Sequence, residues 1–276
     1  MYRFVAVDID GTLLNNSSQV SKRNEQAIKD VINAGIIFSL STGRPLQGVS
    51  AFVDMVGADM PFIIYNGAMV VTSKSKQVLH ETTLSGELAS GVVRLGQQRG
   101  TNVFVYRDGK MHVTEISQPV EHYISYFKIS PFVVEDLVEL ASRGVTKVLF
   151  RDTPDRITDL QNEAAILFKD KLNYFTSQPN LLEFVDSATS KGAAMRVIGE
   201  RYGIPQCEMM AIGDSYNDIE MIRHAALGVA MGNAPQEIKD IADAVTSTNE
   251  EDGVAEAIYR YVLDRPPSTN SDASSG

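Results

Sequence analysis

The chain has 276 residues, 43% of them hydrophobic, a net charge of −10 and a single cysteine, Cys207. That length and composition suit an α/β unit with room for an insertion, and they exclude an internal disulfide and the basic footprint of a nucleic-acid binder. No apolar stretch nears the roughly 20 residues that cross a bilayer; an apolar run starts right after Arg3, leaving no space for a signal peptide, so the expected location is cytoplasmic, in keeping with the lone thiol.

Short apolar runs closed by polar or glycine turns recur at 4–7, 36–40, 62–64, 209–212 and 228–231. They read as buried parallel strands. Helical patterns lie between them at 21–34 (closed by Gly35), 46–56 and 191–202 (closed by Gly203), with a short one after Tyr216. This alternation predicts a doubly wound parallel sheet, Rossmann-like, with helices on both faces.

The middle third has a different rhythm: a helix at 85–98, strands at 102–106 and 111–114, helices at 119–127 and 134–141, a strand at 147–150, a helix at 158–171 and two strands reaching 185. We expect an α+β insertion over 83–185, with 1–82 and 186–264 forming the core and 265–276 a disordered tail rich in Pro, Ser, Asn and Asp. Tyr106, Tyr123, Tyr126 and Phe127 fall on alternating or helical faces, which favours packing over pocket lining. The acidic 249–253 stretch reads as a solvated helix entrance.

In an open parallel sheet, ligands sit beyond the carboxyl ends of the strands. The residues there are Asp8 and Asp10, then Ser41-Thr42-Gly43-Arg44, then Asn66-Gly67, then Gly213-Asp214 with Asn217 and Asp218. Carboxylates gathered this closely repel one another, and a cation relieves the repulsion. An all-oxygen donor set with no His or Cys cluster suits Mg²⁺ and disfavours zinc. Period-2 alternation lets Asp8 and Asp10 face the same side. One could then attack phosphorus as a nucleophile while the other moves protons as general acid and base. Thr42 and Lys191, the latter at a predicted helix start with free backbone N–H groups, are candidates for holding a phosphate.

These motifs resemble the haloacid dehalogenase superfamily and, within it, the Cof-like sugar-phosphate phosphatases: "DIDGTLL", "STGR", the lysine of "SKG" and "GDSYNDIEM", with "NGA" at 66–68 and "MGNA" at 231–234. The resemblance implies that Asp8 is the nucleophile and Asp10 the general acid/base. It implies phosphate binding by Thr42, Lys191, Asp10 and Gly11, and magnesium ligation by Asp8, Asp214 and the Asp10 carbonyl, with Asn217 and Asp218 orienting the metal's surroundings. Arg44, Gly43 and Asn66 would face the substrate or the cap, the role the resemblance gives the insertion. The expected function is Mg-dependent hydrolysis of small phosphorylated metabolites through an aspartyl-phosphate. A phosphomutase or phosphotransferase using the same intermediate, and a phosphorylatable binding module, are the alternatives. The substrate stays open at this level, as does the choice between monomer and homodimer.

Overall fold

The computed structural model describes residues 1–127 and 129–264. The side chains of Tyr126 and Phe127 and the expected 265–276 tail lie outside the described residues. Five strands open the chain: β1 (Phe4–Asp8), β2 (Ile37–Ser41), β3 (Pro61–Ile64), β4 (Met69–Thr72) and β5 (Val78–Glu81). Six follow in the middle third: β6 (Asn102–Arg107), β7 (Lys110–Val113), β8 (Phe132–Val133), β9 (Lys147–Arg151), β10 (Leu172–Gln178) and β11 (Leu181–Asp186). Three close it: β12 (Met209–Gly213), β13 (Leu227–Ala230) and β14 (Ala244–Val245).

The first sheet has the order β14-β13-β12-β1-β2-β3-β4-β5. β1 and β12 are buried along their whole length, as unbroken apolar runs must be when helices cover both faces. β1 lies between β12 and β2, parallel to each, with Val7 level with Ile212 and Asp8 level with Ser41. The chain winds one way through β2 and β3 and the other way through β12 and β13. The crevice at this reversal opens at the carboxyl end of β1. β4 and β5 extend the sheet antiparallel beyond β3, an extension that the strand–helix alternation did not predict.

The flanking helices start and stop on local chemistry. Ser21 accepts from the Asn24 amide to cap α1 (Lys22–Asn33), and Ser190 accepts from the Ala193 amide to cap the later helix Lys191–Tyr202, which ends on Gly203 in the left-handed region. The helix expected at 46–56 is instead a 3₁₀ stretch, Leu46–Phe52, leading into one α-turn, α2 (Val53–Val56). Three β-branched or aromatic residues in its second half, with Gly48 and Ser50 in its first, give little intrinsic drive for an α-helix. In the middle third the helices are α3 (Gly86–Gln98), α4 (Gln118–Phe127), α5 (Leu137–Ala141) and α6 (Pro154–Leu167). α6 begins four residues earlier than expected because Pro154 fits a first-turn position. α5 begins only at Leu137, where the Asp136 carboxylate accepts from the Val138 and Glu139 amides. After α7 (Lys191–Tyr202) come α8 (Ile219–His224), α9 (Gln236–Ile241) and α10 (Gly253–Ala257). The acidic 249–253 stretch forms the 3₁₀ turn Asn249–Glu251 that leads into α10.

The second sheet, β10-β11-β9-β6-β7-β8, is antiparallel apart from the β7–β8 pair. Alternation along its strands gives it two apolar faces. Val105, Val148 and Phe150 pack into a cluster with residues of α3, α5 and α6, while Phe104, Tyr106 and Leu149 join Tyr65, Ala68 and Met69 of the first sheet's region in one continuous core. The insertion therefore sits against the carboxyl-end side of the parallel sheet, joined to it by apolar packing that includes a Tyr65–Tyr106 ring contact at 5.3 Å.

Candidate active site

Asp8 ends β1 almost wholly buried. The Lys191 ammonium, at the first position of α7 and fully buried, reaches back to donate to Asp8 Oδ1 at 2.6 Å and to Asp218 Oδ1 at 2.6 Å. Asp218 Oδ2 accepts from the backbone amides of Asp214 and Ser215, which shapes the loop after β12. Thr12 donates to Asp214 Oδ1 at 2.6 Å, and Asn233 holds the Gly11 carbonyl at 2.8 Å. Neither Thr12 nor Asn233 was singled out from sequence, although both lie inside the quoted motifs. Gly11 adopts φ +84°, and a Cβ there would lie 2.4 Å from Asp214 Oδ2, so only glycine lets the β1 loop meet the β12 loop.

The loops after β2 and β3 are stitched together. The Tyr65 amide donates to the Arg44 carbonyl and the Asn66 amide to the Thr42 carbonyl. Tyr65, Asn66 and Gly67 all have positive φ, and the Gly67 Cα packs so tightly on Ser190 that a Cβ would come within 2.1 Å of its carbonyl oxygen. This turn directs Asn66 inward, where Asn217 Nδ2 donates to its Oδ1 at 3.0 Å. Arg44 clamps the half-exposed Asp10 carboxylate with two hydrogen bonds, from Nε at 2.8 Å and from a terminal nitrogen at 2.5 Å. All of the residues expected at the strand ends thus converge on one region, and Asp8, Asp10, Thr42, Arg44, Tyr123 and Glu183 share the lining of one pocket. Tyr106 is buried as expected, donating to Tyr123 Oη at 2.9 Å. Tyr123 combines burial with a place in the pocket wall.

The charges are poised against one another. Burial pushes the Asp8 carboxyl well above the usual carboxylate range; Lys191 opposes this, while Asp218, Asp214 and Asp10 add to it. Burial followed by repulsion from Asp218 pushes Asp214 up to about 6. Burial alone would discharge Lys191, yet Asp218 and Asp8 on either side raise its pKa and keep it cationic. Asp8, Asp214 and Asp218 each offer an oxygen, all within 4.8 Å of one another, and the donors are hard oxygens. That is a fitting site for a divalent cation such as magnesium, whose charge would restore the ionised form of each carboxylate. Asp218 already uses its oxygens on Lys191 and two backbone amides, so it is better placed to orient the site than to bind directly.

Chemically, the region offers a buried carboxylate beside a lysine, a second carboxylate steered by an arginine, and a cluster of carboxylates that could hold a cation. Lys147, opening β9, and Glu183, amid apolar residues of β11, form a buried ion pair at 2.8 Å beside the pocket that sequence reasoning missed. A charged residue in the middle of a run such as "LLEFV" was the available signal.

The family described as haloacid dehalogenase-like hydrolase matches residues 5–258. The chain is similar to the 5-amino-6-(5-phospho-D-ribitylamino)uracil phosphatase YcsE of Bacillus subtilis (strain 168), 31% identical over 263 residues that cover 95% of this chain and 96% of that protein. It is 30% identical to the phosphatase YwpJ of the same organism over 280 residues, covering 92% and 97% of the two chains. A haloacid dehalogenase-like hydrolase from Bacteroides thetaiotaomicron shares the fold with a TM-score of 0.84 at 30% identity, over 94% of this chain and 99% of that one.

Proposed function

Because the chain belongs to the haloacid dehalogenase-like hydrolases and is a phosphatase, we propose that it hydrolyses small phosphorylated metabolites in a magnesium-dependent reaction through an aspartyl-phosphate on Asp8. The observation that carries this reading is the pairing of a buried, lysine-bound Asp8 with an Arg44-steered Asp10 in one pocket. The substrate named for YcsE, a phosphorylated ribityl compound, belongs to the same class of small phosphorylated metabolites.

An Asp8 carboxylate oxygen attacks phosphorus, and the bond from phosphorus to the ester oxygen breaks as the Asp10 carboxylic acid gives that oxygen its proton. Asp10, now a carboxylate, takes a proton from water, whose oxygen attacks the phosphorus. The Asp8–phosphorus bond breaks and phosphate leaves. Thr42, Lys191 and the backbone at Asp10 and Gly11 hold the phosphoryl oxygens, where positioned positive charge and N–H groups matter most. The Asp8 carboxylate, the Asp10 carbonyl and Asp214 would hold the cation, with Asn217 and Asp218 orienting it. When bound, magnesium supplies charge that keeps the carboxylates ionised and offsets the phosphate. The 83–185 insertion serves as the cap that walls the pocket and excludes bulk water, and Arg44, Gly43 and Asn66 face it.

Phosphate release from a panel of phosphorylated metabolites, with Mg²⁺ and with excess chelator, tests the proposal. Metal-dependent release is expected from one or a few of them. Absence of release from every ester, or transfer of the phosphoryl group to a sugar hydroxyl without release, would overturn it.

A further inference from the structure

The proposed chemistry leaves the buried Lys147–Glu183 pair without a role. Its side chains are 1% and 4% exposed. Withdrawing two charges from water is costly, and an apolar pair of similar volume would serve stability as well or better. Cross-strand register explains how the two meet: Lys147 and Leu149 share a face of β9, and Glu183 lies level with Leu149 on β11, so the two charges are diagonal neighbours.

Within its own sheet Lys147 Nζ lies 4.9 Å from the Tyr106 ring of β6, and the pair also reaches outside that sheet. Lys147 Nζ also donates to the Gly43 carbonyl at 3.2 Å and lies 5.2 Å from the Tyr65 ring. Glu183 Oε2 also accepts from Asn66 Nδ2 at 3.1 Å, and Asn66 Oδ1 in turn accepts from Asn217 Nδ2. An amide side chain has one donor end and one acceptor end. With both ends of Asn66 engaged, its orientation is fixed, and so is that of Asn217. The Asn217 end left over, Oδ1, is buried and has no hydrogen-bond partner among the described residues, on a loop that lines the pocket with Asp8 and Asp10.

We propose that Glu183, neutralised by Lys147, is a positioning residue: through Asn66 it sets the Asn217 amide so that its oxygen is offered to the acidic site, which is complete only when the insertion is seated. Its consequence for turnover rests on the phosphatase reading; its geometry does not. Buried unpartnered oxygens are costly to leave in place, which gives the relay a reason to exist that packing does not.

The test compares the wild-type enzyme with the Lys147→Met/Glu183→Leu double variant, which replaces the charge pair by apolar side chains and removes the acceptor for Asn66. Backbone amide exchange is followed in segments 64–68 and 213–218, with β1 and α7 as internal references. The expected result is a folded variant whose exchange rises about tenfold in those two segments alone, the cost of about one hydrogen bond, and whose kcat falls about 10- to 100-fold. A folded variant with wild-type exchange in both segments overturns the proposal. If the double variant does not fold, Asn66→Asp carries the same test. It has the same size, tolerates the left-handed backbone of this position (φ 56°), still accepts from Asn217, and sets a carboxylate against Glu183. Unchanged exchange at 213–218 in that variant likewise overturns the relay. A wild-type enzyme that releases no phosphate would overturn the phosphatase reading, while the exchange result would still decide for or against the relay.

Discussion

Replacing Asp214 by Asn separates the two demands placed on the acidic cluster. The substitution keeps the side chain's shape and the oxygen that accepts from Thr12, but removes one of the crowded charges. Burial and Asp218 push the Asp214 carboxyl from its ordinary 3.8 up to about 6. A raised carboxyl binds its proton more tightly in the folded chain than in the unfolded one. Its contribution to stability is therefore fully present below pH 3.8 and is lost as the pH rises through about 6. At about 1.4 kcal/mol for each tenfold change, the ionised group costs the metal-free fold at most about 3 kcal/mol at pH 7.5. Asn carries no such cost. In chelator, the Asp214→Asn protein should match the wild type near pH 4 and unfold several degrees higher at pH 7.5, at roughly 2–4 °C per kcal/mol. Adding Mg²⁺ should raise the wild-type Tm and barely move that of the variant. Thermal unfolding by circular dichroism at the two pH values, with chelator and with Mg²⁺, measures both effects. A variant no more stable than wild type at pH 7.5, or a difference that does not depend on pH, would refute the reasoning.

Asp8→Asn should abolish turnover, read as phosphate release, and wild-type release would sink the assignment of the nucleophile. Asp10→Asn should let a phosphoenzyme form slowly and persist, detectable by intact-protein mass after quenching; normal product release would count against Asp10 as the proton carrier. Lys191→Met leaves Asp8 and Asp218 facing each other in a buried space without their shared cation, so chemical denaturation in chelator should show a loss of about 3–5 kcal/mol. Gly67→Ala forces a Cβ against the Ser190 carbonyl at a positive φ, and its Tm should fall by more than that of Gly109→Ala, which has positive φ but open space around it.

The sequence by itself determined the parts whose physics is local. Unbroken apolar runs had to be buried strands, serine caps and terminal glycines bounded α1 and α7, and the alternation of strand and helix required the crevice at the β1 end. Because ligands gather at strand ends, Asp8, Asp10, Thr42 and Asp214 could be grouped before any coordinate was known, with Lys191 added from its place at a predicted helix start. Local signals were weaker where the chain had no strong preference: 46–56 became a 3₁₀ stretch and one short α-turn, and β4 and β5 continued the sheet antiparallel from β3 through short turns. What only the tertiary structure decided is which partner each polar group takes. Arg44 faces Asp10 rather than open solvent, Asp218 divides its oxygens between Lys191 and two amides, and Asn66 links Glu183 of the second sheet to Asn217 on the turn after β12 of the first. Hydrogen bonds between residues 117 and 151 positions apart leave no periodic trace. Their energies depend on burial and angle, and these exist only once the two sheets have packed together.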